Sequence, residues 1–400
     1  MKLNNHDEEI LSGKFGKAKQ KAIEILIALG KIYEAEKLIP VDSVQVSGVS
    51  YKNLGEAGLQ FLNEWAMNGA KVEVPTMLNP AGMDLKRWEK IGFSQNFAKK
   101  QLKVIDAFNK FDISPICTCV PYLAGNLPRF GTHIAWAESS AVSFANSVLG
   151  ARTNREGGPS ALASAIIGKT PYYGLHIEKN RMADYLVKVK CDLHTEADFG
   201  ALGYIIGKQT GNAIPYFEGI KSAGLLQLRS LGAAMAASGA VALYHIHGIT
   251  PEAIAKNMIS KEYKEIVVNN LEEGYKNLNS QVEEIDMVSF GCPHASFEEI
   301  KRIASLLAGK KVKTKLWITT ATPIYYMAKQ SNLKKIIEKA GGTILTDTCM
   351  IVAPINDFNI KSLATNSAKA ACYAPHHCGV KVRYANLEKC IEIALTGRYI

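Results

Sequence analysis

Along the first third of the chain, apolar positions begin at helical spacing and then switch to alternation. Ala22, Ile25, Leu26, Leu29 and Ile32 mark one face of a helix that runs from residue 17 through 30 toward 37 and stops before Pro40. Residues 41–47 alternate as a strand does and lead into Gly48-Val49-Ser50; residues 54–68 return to helical period, and 71–75 read as a further strand. This is a β-loop-α-β unit. Its loops fall at the carboxyl ends of strands, where α/β proteins take up ligands on backbone amides at helix N-termini. Gly48–Ser50 and Asn79–Pro80 are therefore two neighbouring ligand-loop candidates.

The alternation of periods continues, with a helix over 93–111, a strand over 116–120, a helix over 134–149 and a Gly/Ala/Ser-rich turn and helix over 157–168. Near residue 170 the texture changes to short mixed segments, 172–176 and 182–190, and a second Gly/Ala-rich block over 200–207. Residues 225–242 form a strongly apolar helix, and 243–247 alternate until Gly248 ends them. Strands at 287–290, 315–319, 343–346 and 381–384, separated by helical patterns, return the chain to α/β texture. The expected fold class is α/β in three parts: residues 1–170, a mixed α/β insertion over 171–280, and 281–400.

Composition narrows the functional classes. With 400 residues and 47% hydrophobic content the chain can bury a large core, and it exceeds the usual single-domain length. The net charge of +10 comes from lysines scattered over amphipathic stretches, not clustered with aromatics, which argues against nucleic acid and for small anions or an acidic partner. No stretch is long and apolar enough to span a membrane, and the charged N-terminus is unlike a signal peptide, so a cytoplasmic location is expected. In a reducing compartment eight cysteines call for burial or metal binding rather than disulfides.

Four of those cysteines sit at expected strand ends: Cys117 and Cys119 in Pro-Ile-Cys-Thr-Cys-Val-Pro-Tyr, Cys292 in Phe-Gly-Cys-Pro-His, and Cys349 in Asp-Thr-Cys-Met. Thiolates from three distant segments can hold a cubane iron–sulfur cluster with one iron open, which acts as a Lewis acid toward a substrate hydroxyl and carboxylate. Burial alone would explain each cysteine singly, and the same ligands would also suit one or two irons. His133, His245, His247 and His294 invite a metal reading too, but His245 and His247 have no third ligand near them in sequence and read as ordinary core or surface residues.

The run from Cys117 to Gly131, with Ala-Glu-Ser-Ser-Ala-Val at 137–142 and Ala-Asn-Ser-Val-Leu-Gly-Ala-Arg-Thr-Asn at 145–154, closely resembles aconitase X. Gly48-Val49-Ser50, Leu78-Asn79-Pro80, Phe290–His294, Asp347-Thr348-Cys349 and Asn366–Lys369 follow in the family's order, so the resemblance covers nearly the whole chain. It implies an aconitase-like multi-domain α/β/α architecture with the active site where the domains meet. It further implies a hydro-lyase with an iron–sulfur cluster, [4Fe-4S] with one open iron, and a large subunit paired with a separate small swivelling subunit. Known family activities are dehydration of 5-phosphomevalonate to trans-anhydromevalonate 5-phosphate in the mevalonate route to isoprenoids, and dehydration of cis-3-hydroxy-L-proline; the two-subunit form favours the first. A non-catalytic aconitase-like regulator is the alternative of a different class.

Residue by residue, the resemblance assigns cluster ligation to Cys292, Cys349 and one of Cys117 and Cys119. Two residues apart on a strand, those last two share a face, and alternation cannot choose between them. Gly48, Val49, Ser50, Asn79, Pro80, Glu138, Ser139 and Lys369 match substrate-contacting positions. Loop amides, a hydroxyl and a cation suit a small anionic hydroxy acid. Dehydration also needs a base for a carbon-bound proton; Ser367 is the candidate by analogy with aconitase, and Glu138 and His294 are alternatives.

Overall fold

The computed structural model describes residues 1–399. The α/β expectation holds. In the N-terminal region the strands Thr76–Leu78, Val44–Val46 and Ala135–Trp136 form a parallel sheet in that spatial order. The first strand in sequence is central, so the connections reverse direction beside it. Helices Lys17–Ile32, Tyr51–Met67, Gln95–Asn109 and Gly158–Ile167 cover the sheet, and Ile23, Leu26, Leu62, Trp65, Val104 and Phe108 join Val44 and Val46 in one core. Burial on both faces is why these strands read as nearly continuous apolar runs. A short antiparallel ribbon, Leu38–Pro40 with Lys169–Pro171, closes the region.

The C-terminal region repeats the plan with five parallel strands in the order Gly342–Thr346, Lys315–Thr320, Met287–Ala295, Ser362–Thr365, Lys381–Tyr384. Again the first strand in sequence lies inside, and the strand order reverses between Met287–Ala295 and Ser362–Thr365. Such a reversal leaves a crevice at the carboxyl ends of the strands, where open α/β sheets bind ligands.

Between these regions, Ala183–Val189, Pro215–Glu218, His245–Ile246 and Ile259–Val268 form a four-stranded parallel sheet. Its two helices, Glu196–Thr210 and Leu225–Gly239, correspond to the second Gly/Ala-rich block, 200–207, and to the apolar helix expected over 225–242. They pack so closely that a Cβ on Gly239 would lie 1.9 Å from the Gly207 carbonyl oxygen. A buried Arg181 fixes this region to the first: it pairs with Glu252 at 2.8 Å through both Nε and Nη2 and donates to the carbonyls of Asn146, Ala151 and Leu175.

Three expected elements come out differently. Residues 71–75 form no ladder and bend at Glu73 and Val74, because Val72 N–H donates to Phe111 and Glu73 N–H to Ala165; pairing begins at Thr76. Residues 116–120 make only an isolated bridge, Cys117 opposite Leu78, before a 3₁₀ turn at Pro121–Leu123. Within 134–149, Ala135–Trp136 joins the sheet and only Ser139–Phe144 is α-helical, followed by a wider π turn at Ala145–Leu149. Unbroken apolar runs fit both periods, so the pattern could not separate strand from helix there. The strand Ile259–Val268 went unread because it is an edge strand whose middle, with Lys261, Glu262, Lys264 and Glu265, is exposed on both faces.

Candidate active site

The carboxyl ends of the N-terminal and C-terminal sheets face each other and are joined where Ala81 N–H donates to Asp347 O at 2.7 Å. Between them lies a cavity of about 320 Å³. The N-terminal sheet contributes the loops that follow all three of its strands: Ser47 after Val44–Val46, Asn79 and Pro80 after Thr76–Leu78, and Glu138 and Ser139 after Ala135–Trp136. From the other side come Cys292, Cys349 and Lys369.

Of the paired cysteines, Cys119 lines this cavity, whereas Cys117 is packed among Leu78, Ala81 and Val104 in the N-terminal core. The expectation that the two share a face is corrected. Regular extended geometry stops at the Cys117 bridge, and the chain bends at Cys119 into the 3₁₀ turn. Cys119, Cys292 and Cys349 thus reach one cavity from three segments, all buried. No three Cys, His or carboxylate side chains among the described residues converge closely enough to hold one metal ion.

His294 fastens the three segments together. Its Nε2–H donates to Thr348 O at 2.8 Å, its Nδ1 accepts from Thr118 Oγ1 at 3.0 Å, and its own N–H donates to Cys119 Sγ at 3.1 Å. The tautomer follows from the partners, since a carbonyl can only accept. One residue, two positions after Cys292, thereby touches Cys119 through its backbone and, through its ring, the residues that precede Cys119 and Cys349. Burial pushes its pKa down to about 4, against the opposing pull of the Thr348 carbonyl, so the ring is neutral. With both nitrogens bonded and no exposure, it has no lone pair for a substrate.

Gly291 shapes the strand that carries Cys292. Its φ is +94°, and a Cβ there would stand 2.0 Å from Thr319 O, so only glycine fits where the ladder to Lys315–Thr320 shifts register. Asp347, just before Cys349, also adopts a positive φ of 65°. Burial, reinforced by Asp84, raises its carboxyl to about 6.

Electrostatics centre on a buried ion pair. Lys369, in the first turn of helix Ala368–Cys378, pairs with Glu138, the N-cap of helix Ser139–Phe144. Burial would raise Glu138, but the Lys369 ammonium, the Ser140 hydroxyl at 2.6 Å and the Ala141 N–H at 2.7 Å outweigh it and hold the carboxyl below its usual range. Burial would likewise lower Lys369, and the Glu138 carboxylate more than reverses this. Both groups are therefore charged. Among the thiols, the hydrogen bond shared with Cys292 lowers Cys349, aided by the Val352 and Ile351 N–H groups, while burial raises Cys119.

The other expected residues divide. Asn79 lines the cavity, and its buried Oδ1 has no hydrogen-bond partner among the described residues. Pro80 and Ser139 line it too. Val49 and Ser50 lie behind the wall: Val49 O accepts from Gln101, and Ser50 Oγ donates to Val352 O at 2.9 Å, fixing the first loop to the Cys349 loop. Gly48 is half-buried beside Ser47, the residue of this loop that reaches the cavity. Ser367 caps its helix, accepting from Ala370 N at 3.0 Å, and commits its proton to Cys292 O. Ser47, Asn53, Arg155, Tyr373 and His377 also line the cavity and were missed, and Ala137, Ile351 and Val352 complete the lining. Arg155 had a signal, in the Gly-Ala-Arg-Thr-Asn-Arg run; Asn53 follows Ser50 by one helical turn. Of the other histidines, His245 Nε2 bonds Arg181 O and His247 Nδ1 bonds Tyr216 Oη, and the two form no shared site.

Family models describe the chain almost end to end: the aconitase X first domain matches residues 1–179, the second domain 183–276 and the third domain 285–396. The phosphomevalonate dehydratase large subunit of Methanocaldococcus jannaschii is 49% identical, covering 98% of this chain and all of that protein. A cis-3-hydroxy-L-proline dehydratase of Hypocrea jecorina is 34% identical over all of this chain, which spans 69% of that protein's length. A crystal structure of Thermococcus kodakaraensis aconitase X in its holo form superposes with a TM-score of 0.92 at 47% identity, over 98% of this chain and 100% of that one. The expected aconitase-like α/β architecture is borne out by that likeness.

Proposed function

Since the chain belongs to the aconitase X family, we propose that it is the large, cluster-bearing subunit of a hydro-lyase that dehydrates 5-phosphomevalonate to trans-anhydromevalonate 5-phosphate. The observation that carries this reading is the meeting of Cys119, Cys292 and Cys349 with the Lys369–Glu138 pair in one cavity. Four archaeal relatives named for phosphomevalonate dehydration match at 46–49% identity over nearly their full length and a fifth at 35%, against 33–34% for two hydroxyproline dehydratases that are longer than this chain.

The residues fit an iron–sulfur group. Three thiols reaching one cavity from three segments are the donor set such a cluster takes. Cys119, Cys292 and Cys349 would hold it, and it would supply Lewis acidity to the departing hydroxyl. The unpaired Asn79 Oδ1 is set to accept a hydrogen bond from substrate hydroxyl or water. Lys369 neutralises anionic charge gathered in the cavity, and Arg155, exposed at its edge, offers a second cation.

Three groups were candidates for taking the carbon-bound proton. His294 is sealed, and the Ser367 hydroxyl is committed to a carbonyl. Glu138 faces the cavity ionised, but Lys369, Ser140 and the Ala141 N–H occupy its oxygens, which suits orienting a hydroxyl better than accepting a proton. None of the three is free to take the proton in this arrangement.

The test is anaerobic reconstitution of this chain with iron, sulfide and its small subunit, followed by assays on 5-phosphomevalonate and cis-3-hydroxy-L-proline side by side. Turnover of the phosphorylated acid, absent in Cys292→Ala and Cys349→Ala, is expected. Turnover of hydroxyproline alone would reassign the substrate, and a bound cluster with neither activity would overturn the reading.

A further inference from the structure

The chain over 152–156 runs beside the strand Ala135–Trp136: Ile134 N–H donates to Arg152 O at 3.0 Å, Trp136 N–H to Thr153 Oγ1 at 3.1 Å, and Glu156 N–H to Trp136 O at 3.0 Å. Asn154 and Glu156 are buried and fastened. Asn154 donates to Tyr173 O at 3.1 Å and accepts from Leu175 N–H at 2.9 Å, while Glu156 accepts from the Ser160 and Thr170 hydroxyls at 2.6 and 3.1 Å. Between these two anchors Arg155 alone is exposed, and it lines the active-site cavity. Its guanidinium makes no ion pair or hydrogen bond with any of the described residues, so a free cation is presented from a fixed backbone.

Of the two Lys or Arg side chains in the lining, the other, Lys369, is committed to Glu138, which is the sole carboxylate of that lining. An anion reaching Arg155 therefore meets no competing free carboxylate. The depth of the cavity can be read along helix Ala368–Cys378. Lys369, Tyr373 and His377 follow at four-residue spacing and all line it, each step rising about 6 Å, and they pass from buried through half-buried to exposed. The three buried thiols and the ion pair mark the deep end; Arg155, His377 and Asn53 mark the mouth. 5-Phosphomevalonate has the same polarity, with carboxylate and departing hydroxyl at one end and the phosphate beyond a two-carbon arm. A planar guanidinium matches phosphate oxygens with paired, charge-assisted hydrogen bonds. Cis-3-hydroxy-L-proline carries no second anion for it.

We infer that Arg155 is a specificity-determining residue that binds the substrate's phosphate at the cavity mouth, leaving the reacting carbons at the thiol end. The inference rests on the 5-phosphomevalonate reading above and assigns its second anion to a named side chain.

The experiment uses the two-subunit enzyme reconstituted anaerobically, as parent, Arg155→Met and Arg155→Lys. The kcat and KM for 5-phosphomevalonate are measured, together with competitive inhibition by mevalonate, the same acid without phosphate. Arg155→Met should raise KM about 10-fold to 100-fold, the worth of one hydrogen-bonded charge, with kcat far less affected, as expected when binding common to ground and transition states is lost. Mevalonate should inhibit parent and variant alike, and Arg155→Lys should recover part of the affinity, since it keeps the charge without the fork. A KM equal to the parent's in Arg155→Met would overturn the inference while leaving the substrate reading intact. Mevalonate inhibition weakened as far as KM rises would also overturn it, by assigning Arg155 to the acid end, and so would a fall in kcat as large as the rise in KM. A parent enzyme that holds its cluster but does not turn over 5-phosphomevalonate would remove the substrate reading and the inference together.

Discussion

Replacing Lys369 with methionine removes the cation from an ion pair whose members are only 7% and 6% exposed. Glu138 would keep the Ser140 hydroxyl at 2.6 Å and the Ala141 N–H at 2.7 Å, but its charge would lose the one ammonium facing it. Stripping one partner from a buried pair typically costs about 3–5 kcal/mol, because the survivor is left uncompensated in a poorly solvated site. Replacing both with neutral groups of similar shape costs far less. In Lys369→Met/Glu138→Gln the amide oxygen can still accept from Ala141 and Ser140, so stability should return to within about 1–2 kcal/mol of the parent. The expected coupling energy is therefore at least about 2 kcal/mol. Urea unfolding of the iron-free single and double variants at pH 7.5, followed by circular dichroism, measures it, and dehydration by the reconstituted enzyme should be abolished in all of them. A double variant as unstable as Lys369→Met, or a coupling under about 0.5 kcal/mol, would refute a buried, charged pair at this position.

Cys117→Ala should bind iron like the parent and lose about 1 kcal/mol of stability as a small core truncation, whereas Cys119→Ala should fail to retain iron; iron quantitation after desalting distinguishes them, and equal retention would contradict the assignment. His176, fully buried with its Nδ1 against His133 Nδ1 at 3.0 Å, is depressed from 6.5 to about 3 by burial and then by His133. The unfolded chain therefore takes up more protons as pH falls below 6.5, and stability should decline between pH 6.5 and 3, by about 2 kcal/mol at pH 5. Urea midpoints from pH 7.5 to 5 should fall less steeply in His176→Gln than in the parent, buried His294 contributing its own slope to both; a slope unchanged by the substitution would count against it. Gly239→Ala should cost about 1–3 kcal/mol by forcing two helices apart, read as a lower melting temperature, and an unchanged value would mean that the helix pair yields.

Much of this architecture was legible because each β-loop-α unit announces itself by a change of period, and because ligand loops must follow strands. The C-terminal strands Lys315–Thr320 and Lys381–Tyr384 fell almost where alternation put them. The choice between Cys117 and Cys119 was not legible, since it turns on a bend that ends the extended geometry after one bridge, and two-residue spacing is blind to it. The inward placement of Ser47 rather than Val49 or Ser50 depends on Ser50 bonding to Val352, 302 residues away. Sealing of His294 is likewise a tertiary fact. Its sequence context next to Cys292 suggested chemistry; its neighbours Thr118 and Thr348 give it a mechanical task instead. Edge strand Ile259–Val268 escaped because nothing buries its middle.

The bonds of His294 run between protein groups alone, from the Cys292 strand to the residues preceding Cys119 and Cys349. The three thiol-bearing segments therefore stay in place whether or not anything spans them. Iron–sulfur cofactors are perishable, and oxygen strips them from accessible sites within the working life of an enzyme. If the proposed cluster is bound here, such damage would empty a standing socket without dismantling the chain, and recovery would require iron, sulfide and electrons but no refolding. A cell can then maintain this catalyst by replenishment in place of resynthesis, with one polypeptide outlasting a succession of cofactors.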